Sequence, residues 1–386
     1  MNVEVISDRA SLPGLAARWD ELALADPRDG FFRSFGWYRA WIDHIRPDVE
    51  PYVVVARDEA GAIVGLAPLC RGIYRDLGLR LKAVFWAGRE VVSGDFLDFL
   101  AVPELRANAI SAILEFLMRN ASQWSVLVLG ELVVGADSFT ALEDLASRHG
   151  LQFRRQEDRV CPYIALPGSF DEYLAGLGSS TRYHIRRRMR DVEKQGAKVE
   201  VYSEPEQVVQ HLDTLIRLHL ARWQKENLPG TMGRPGFADF LREICRNPPY
   251  HSRCRLYLLT LAGAPAAALM TFQFGESALY YQAGWDPDSP LAAFSPAVVL
   301  MASSIRDAIQ QGLHYYEFLR GDEAYKSRWS RTCRTTATVL LAGQFAGKEY
   351  LRLTRWKDLV KNQLSRQRGR PAAQPLCSDA CGNSQI

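Results

Sequence analysis

What this chain lacks narrows its identity first. No apolar run approaches the ~18 residues of a membrane-spanning helix. The opening segment, MNVEVISDRASLPG, has neither a basic n-region nor an apolar h-region, so no signal peptide is expected. Charge of one sign is not in excess. A formal net charge of +3 over 386 residues gives no global field for nucleic acid or an anionic surface, so any basic function must be local. The seven cysteines, at 70, 161, 245, 254, 333, 377 and 381, are too irregular for a disulfide framework. Cys377-x3-Cys381 has no second Cys/His pair beside it, and the histidines show no His-x-x-x-His spacing, so no metal is assigned. There is no Gly-x-Ser-x-Gly elbow, which argues against a serine hydrolase. These absences lead us to expect a soluble protein of a reducing cytoplasm, with two or three domains.

What is present has an internal rhythm. Tyr52 to Leu69 and Arg255 to Phe272 each read as two β runs around a Gly-containing turn. In the first stretch, Phe96 to Ala101 is strand-like, a helix runs from Pro103 to about Met118, and Trp124 to Leu129 is a strand. In the second, Ala278 to Trp285 is the strand, Ser295 to Gln311 the helix, and His314 to Leu319 the next strand. Val298, Met301, Ile305 and Ile309 give that helix one apolar stripe. The plan is an α/β unit present twice in tandem. Helices over Phe170–Gln195, Glu206–Asn227 and Phe237–Arg246 lie between the copies. The tail from about Ser365 has no periodicity and reads as unstructured.

Four clusters offer chemistry. Phe294-Ser295-Pro296 follows a polar turn and resembles an N-cap with proline at the first helical position. It suits either ordinary capping or a pyrophosphate at the helix N-terminus. After the last strand, Glu317 is followed by Arg320-Gly-Asp322-Glu323-Ala-Tyr325-Lys326. A carboxylate or phenol there can accept a proton and the lysine can hold an anion. Ser179 to Arg190 holds five arginines. Ser179 or Ser180 can cap the helix, and Arg182, Arg186 and Arg190 line one face at i, i+4 spacing, as a phosphate-binding or a solvated basic face. Ser93-Gly-Asp95-Phe-Leu-Asp98 places two carboxylates at i, i+3, for sugar hydroxyls or merely a turn. Trp37, Tyr38, Trp41 and Trp223 read as core or interface packing.

Together these residues resemble the GNAT superfamily of acyltransferases. More narrowly, the chain is similar to the cellulose-biosynthesis (CelD/BcsL-type) acetyltransferase branch and to FemAB-like tandem-GNAT proteins. The resemblance rests on Ser93 to Leu100, the Arg182 to Gly196 helix, Tyr280-Tyr-Gln-Ala-Gly-Trp-Asp-Pro, Phe294-Ser-Pro and Glu317 to Lys326. It spans most of residues 1–345. It departs from the usual GNAT pattern in having DPDSPLAAFSPA where Arg/Gln-x-x-Gly-x-Gly/Ala is expected.

The resemblance implies two tandem GNAT-like domains, at 1–160 and 161–345, followed by a helix and tail over 346–386. Each domain would be a mixed, mostly antiparallel twisted sheet flanked by helices, with a splayed strand pair. It implies acetyl-CoA or a longer acyl-CoA donor held by Gln282, Ala283, Gly284, Ser295, Ala297 and Val298. Asp322, Tyr325, Lys326 and Glu317 would serve catalysis. Asp95, Asp98, Arg182, Arg186, Tyr281 and Asp286 would serve the acceptor, a sugar-containing or cell-envelope polysaccharide precursor. Two alternatives stay open: an aminoacyl-tRNA donor, the only nucleic acid contemplated, or a non-catalytic binding role in polysaccharide assembly.

Overall fold

The computed structural model describes residues 1–88, 92, 94–225, 227–249, 251–342 and 344–367. Ser93, Cys377, Cys381 and most of the tail expected from Ser365 onward lie outside the described residues. The first half contains β1 (Asn2–Ile6), α1 (Ala16–Leu24), α2 (Phe35–Ala40), β2 (Glu50–Arg57), β3 (Ile63–Asp76), β4 (Leu79–Trp86), β5 (Leu100–Ala101), α3 (Arg106–Arg119), β6 (Val126–Val133), α4 (Asp137–Arg148) and β7 (Gln152–Ala165). The second contains α5 (Phe170–Gly176), α6 (Ser179–Lys194), β8 (Lys198–Tyr202), α7 (Pro205–Lys225), α8 (Phe237–Arg246), β9 (Ser252–Leu261), β10 (Ala264–Phe274), β11 (Ser277–Trp285), α9 (Pro296–Gln310), β12 (Tyr315–Glu317), β13 (Thr332–Ala342) and α10 (Phe345–Gln367).

The strands form one large, mostly antiparallel sheet flanked by helices, in the order β1-β2-β3-β4-β6-β13-β7-β12-β11-β10-β9-β8. The repeat is visible in this order. Four antiparallel strands, β1 to β4, are followed through α3 by β6, parallel to β4. Four more, β8 to β11, are followed through α9 by β12, parallel to β11. A parallel neighbour needs a crossover, and the helix supplies it. The last strands of the two units are exchanged: β13 pairs with β6, and β7 pairs with β12. The expected boundary at 160/161 falls inside β7.

The halves share a core. Phe31 stacks on Phe272 at 4.5 Å, and Trp37 meets Phe240 at 4.8 Å and Tyr281 at 5.9 Å. Each such buried ring contributes roughly 1.5–3 kcal/mol. Gly275, with a φ of 51°, lies so close to Pro27 that a Cβ would sit 2.3 Å from its carbonyl oxygen. Only glycine admits that contact between halves.

Three local expectations need correction. The helix expected over Phe170–Gln195 is two helices, because Leu177 and Gly178 are extended (ψ 156° and 145°). Ser169 caps α5, accepting from the Glu172 N–H at 3.2 Å, whereas neither Ser179 nor Ser180 caps α6. The strand expected from Phe96 shrinks to Leu100–Ala101, since Phe96 has a φ of 55°. Cys70, Cys161, Cys245 and Cys254 are buried free thiols.

Candidate functional site

β11 and β12 run together for only three residues, Ser277–Leu279 opposite Tyr315–Glu317. β12 then ends, while β11 continues to Trp285. The wedge between them opens into a cleft of about 740 Å³ lined by charged and aromatic side chains. Helix α7 roofs β11 so closely that a Cβ at Gly284 would lie 2.2 Å from the His219 backbone nitrogen. Beyond Glu317 the chain turns sharply at Leu319, whose φ of 58° is costly for a bulky side chain. That turn brings residues 320–326 down as the opposite wall.

His219 forms the buried floor. Its Nδ1 lies 3.2 Å from the Ala283 carbonyl oxygen, which can only accept, so Nδ1 carries the proton and Nε2 keeps its lone pair. Nε2 is 3.5 Å from Thr231 Oγ1. Burial depresses the His219 pKa to about 4, with Arg222 adding to the effect and the Ala283 carbonyl opposing it. The ring is therefore neutral at neutral pH. In a strand a residue's N–H and C=O leave by the same edge, so the Ala283 N–H points the way its carbonyl does, off the β10 side.

Arg320 crosses between the halves. Its backbone N–H donates to Asp95 Oδ2 at 3.0 Å, and its guanidinium reaches Asp95 Oδ1 at 3.3 Å and the Glu131 carboxylate. Burial pushes Asp95 up to about 6, against the pull of Arg320 and with help from Glu131. Tyr325 and Tyr280 sit hydroxyl to hydroxyl at the cleft edge. Burial, then Tyr280 and Glu323, push the Tyr325 phenol far up, so it stays protonated. Asp322 is exposed on the rim and makes no hydrogen bond or ion pair with the described residues.

A second, apolar pocket of about 260 Å³ adjoins the cleft, sharing Arg222, Tyr280, Ala283 and Tyr325 with it. Ile185, Leu269, Trp285, Met301 and Trp329 line it, with Ala297 and Val298 from the first turn of α9. Arg222 and Arg328 are its charged side chains, and no carboxylate lines it. Arg222 lies over Trp285 at 4.2 Å, a cation–π contact that holds the guanidinium at the junction. Burial lowers the nearby His184 pKa, and the positive field of Arg188, Arg328 and Arg187 lowers it further. An apolar slot with a positive mouth fits the arm and phosphates of an acyl-CoA in chemical character.

The structure brings Gln282, Ala283, Tyr281, Asp95, Asp322, Tyr325 and Lys326 to the cleft, and Ala297 and Val298 to the pocket. Their local roles differ from expectation. Lys326 is buried; its ammonium donates to the carbonyls of Leu319 (3.3 Å), Arg320 (2.8 Å) and Gly321 (3.5 Å) and pairs with Glu323 (2.9 Å). It fastens the loop and has little left for an anion. Tyr281 donates to the Val92 carbonyl at 2.8 Å and packs in the core. Gly284 is needed for the contact with α7.

Other candidates lie elsewhere. Glu317 is fully buried between Arg28 (2.9 Å) and Arg334 (3.0 Å), away from the cleft. Asp98 pairs with Arg106 at 2.7 Å in a separate groove of the first half. Asp286 holds a turn, accepting from the Asp288 N–H at 2.9 Å. Ser295 occupies the N-cap position of α9 ahead of Pro296, as expected, but it is left-handed (φ 56°, ψ 62°) and its side chain makes no capping hydrogen bond. Arg182 and Arg186 lie on the outer face of α6, bonded to the Ala175 carbonyl (3.1 Å) and Asp171 (3.0 Å). The inner face presents Thr181, His184 and Ile185 to the pocket instead. Trp223, read as packing, lines the cleft.

Sequence reading missed His219, Arg222, Thr231 and Glu131. One signal was available: His219, Arg222 and Trp223 fall at i, i+3 and i+4, one face of α7. Glu131 offered none, because a tertiary contact alone brings it to Arg320. No group of three or more potential metal-binding side chains occurs among the described residues.

Residues 179–327 match the family described as acetyltransferase (GNAT) domain. No protein of curated function matches the sequence. Among solved structures the fold is similar to FemX, at 12% identity over 87% of this chain and 97% of that one, with a TM-score of 0.60. It is also similar to a conserved protein of unknown function from Bacteroides thetaiotaomicron (14% identity, 88% and 100% covered, TM-score 0.52). A third likeness is to L-PGS from Bacillus licheniformis (10% identity, 91% and 96% covered, TM-score 0.50). At these identities the likenesses speak for the fold. The family match covers the wedge, most of the pocket and the loop, and it supports an acyltransferase.

Proposed function

We propose that the protein transfers an acyl group from coenzyme A to an amine or hydroxyl of a sugar-containing cell-envelope or polysaccharide precursor, by direct attack with both substrates bound. The observation that carries this reading is the pairing of an apolar, carboxylate-free pocket with a larger cleft that carries carboxylates and other charged side chains, through Tyr280, Ala283, Arg222 and Tyr325. The pocket suits the donor arm, with Arg222 and Arg328 for its phosphates and Ala297 and Val298 along it. The cleft suits a polyhydroxylated acceptor, with Asp322, Gln282 and Asp95 as hydrogen-bonding groups. Acyl-CoA supplies an activated thioester; the rest is done by this chain.

His219 Nε2 is positioned to take the proton of the attacking amine or hydroxyl. The Ala283 N–H can stabilise negative charge developing on the carbonyl oxygen. Tyr325, kept neutral, donates a hydrogen bond to the departing sulfur, which leaves as thiolate and takes up the proton His219 accepted; its phenol is too weakly acidic to begin as a base. Asp322 orients the acceptor. The CelD/BcsL-type branch remains the narrower assignment we favour.

A second reading has its own support. The outer groove of α6, lined by Arg182, Arg186, Arg190 and Arg306 with exposed Tyr183, suits the phosphates of an aminoacyl-tRNA donor. Calorimetric titration with acetyl-CoA, a longer acyl-CoA and total tRNA separates the two. Saturable one-to-one acyl-CoA binding is expected, with Tyr325→Phe lowering turnover about 10²-fold or more at unchanged donor affinity. Binding of tRNA without acyl-CoA would replace this reading with the second.

A further inference from the structure

The C-terminal helix α10 carries an apolar face with nothing over it among the described residues. Tyr350, Leu351 and Thr354 are its buried side. Tyr350 packs on Tyr74 at 6.0 Å and donates to Asp76 at 2.8 Å, which lays the helix along the β3–β4 hairpin. The opposite side presents Phe345 (79% exposed), Leu353 (46%), Trp356 (67%) and Leu359 (64%). The spacing of 353, 356 and 359 places them on one stripe, and 345 lies three turns back on the same side. Lys348, Arg355 and Lys357 fall on the two flanks between stripe and buried side. Glu349, within the stripe, is paired with Arg352.

We propose that this face docks onto an anionic lipid surface. The arrangement is that of an interfacial helix: a Trp/Leu/Phe stripe outward, basic residues along both flanks, and insufficient hydrophobicity to span. No described helix is long and apolar enough to cross a membrane. Charge decides between lipid and a second copy of this chain. In a helix-to-helix pairing through the stripe, the basic flanks of the two copies face each other and repel; against anionic headgroups the same flanks attract. Four side chains also offer far less than the ~800 Å² per partner of a stable dimer. Exposed Trp is otherwise the costliest residue to leave in water, and the headgroup boundary suits its amphipathic ring. This inference does not depend on the acyl-transfer reading.

The test is sedimentation of the full-length protein with vesicles of phosphatidylcholine alone and with vesicles containing about one third phosphatidylglycerol. Binding is expected to the anionic vesicles and to weaken with salt. Trp356→Ser is expected to lower the partition coefficient on the order of tenfold. Lys348→Gln and Lys357→Gln are each expected to lower it about fivefold at low ionic strength. Trp356 and Lys357 are exposed and Lys348 is half-buried, and far-UV circular dichroism checks that the variants fold. Equal binding to both vesicle types, no binding, or indifference to Trp356→Ser overturns the proposal. A dimer by light scattering that Trp356→Ser converts to monomer also overturns it, and assigns the face to a second copy.

Discussion

Replacing His219 by Gln should change how stability depends on pH by a calculable amount. His219 is buried and its pKa falls from an ordinary 6.5 to about 4. The folded protein therefore resists protonation there, while the unfolded chain accepts it. That group's contribution is present above pH 6.5 and is lost as pH falls from 6.5 towards 4. At about 1.4 kcal/mol for each tenfold in proton affinity, the loss is about 3 kcal/mol. Asp95 works in the opposite sense. Its pKa rises from 3.8 to about 6, so its contribution is present below 3.8 and lost as pH rises through 6, again about 3 kcal/mol. Between pH 4 and 6 the two nearly cancel in the native protein. His219→Gln leaves Asp95 alone, so the variant should gain stability relative to wild type on acidification. Asp95→Asn should do the reverse. Urea unfolding of the three proteins at neutral pH, near 5.5 and near 4 reads this directly. Parallel wild-type and His219→Gln curves across that range would show that His219 is not held neutral by burial.

Two further substitutions separate structural from catalytic roles. Glu317→Ala should destabilise by about 1–3 kcal/mol, because half-buried Arg28 loses its carboxylate while Arg334 keeps Asp29 at 2.6 Å. Thermal unfolding checks it, and lost turnover at unchanged stability would restore Glu317 to catalysis. Gly284→Ala should cost about 3 kcal/mol or more, since the atoms a Cβ would meet are the backbone of Leu218 and His219. It should also loosen the His219–Ala283 bond, seen by NMR as a His219 titration moving towards 6.5.

Local periodicity made much of this fold legible. The Phe237–Arg246 helix is found at its expected bounds, and both hairpins and α9 lie within a few residues of theirs. Those signals depend on neighbours in sequence. The misreadings depend on neighbours in space. Phe96 looks like a strand residue, but it bends so that Arg334 can lie over its ring at 3.6 Å. Lys326 has the composition of an anion site, yet its three hydrogens are taken by carbonyls that only the turn at Leu319 brings within reach. The arginines of α6 were conspicuous by number. Helical geometry turns most of them away from the pocket, and sequence spacing alone does not say which face packs.

The exchange of final strands explains why the cleft belongs to both halves although the family match covers only one. With β7 inserted between β12 and β13, the first half supplies the strand beside which the chain leaves the sheet at Glu317. The N–H of Phe318 donates to the Pro162 carbonyl at 3.0 Å, and that of Gly321 to the Val160 carbonyl at 2.9 Å. The loop bearing Asp322 and Tyr325 is thus hung from β7 before any of its own side chains act. Arg320 then reaches past it to Asp95 and Glu131, both from the first half. A shift of the halves by even an ångström would move the loop wall against His219 and Ala283, which ride on α7 and β11. The buried charges across this boundary are costly to assemble and costly to break singly. Their use here is to fix a distance, the width of the cleft in which a nucleophile and a carbonyl must meet.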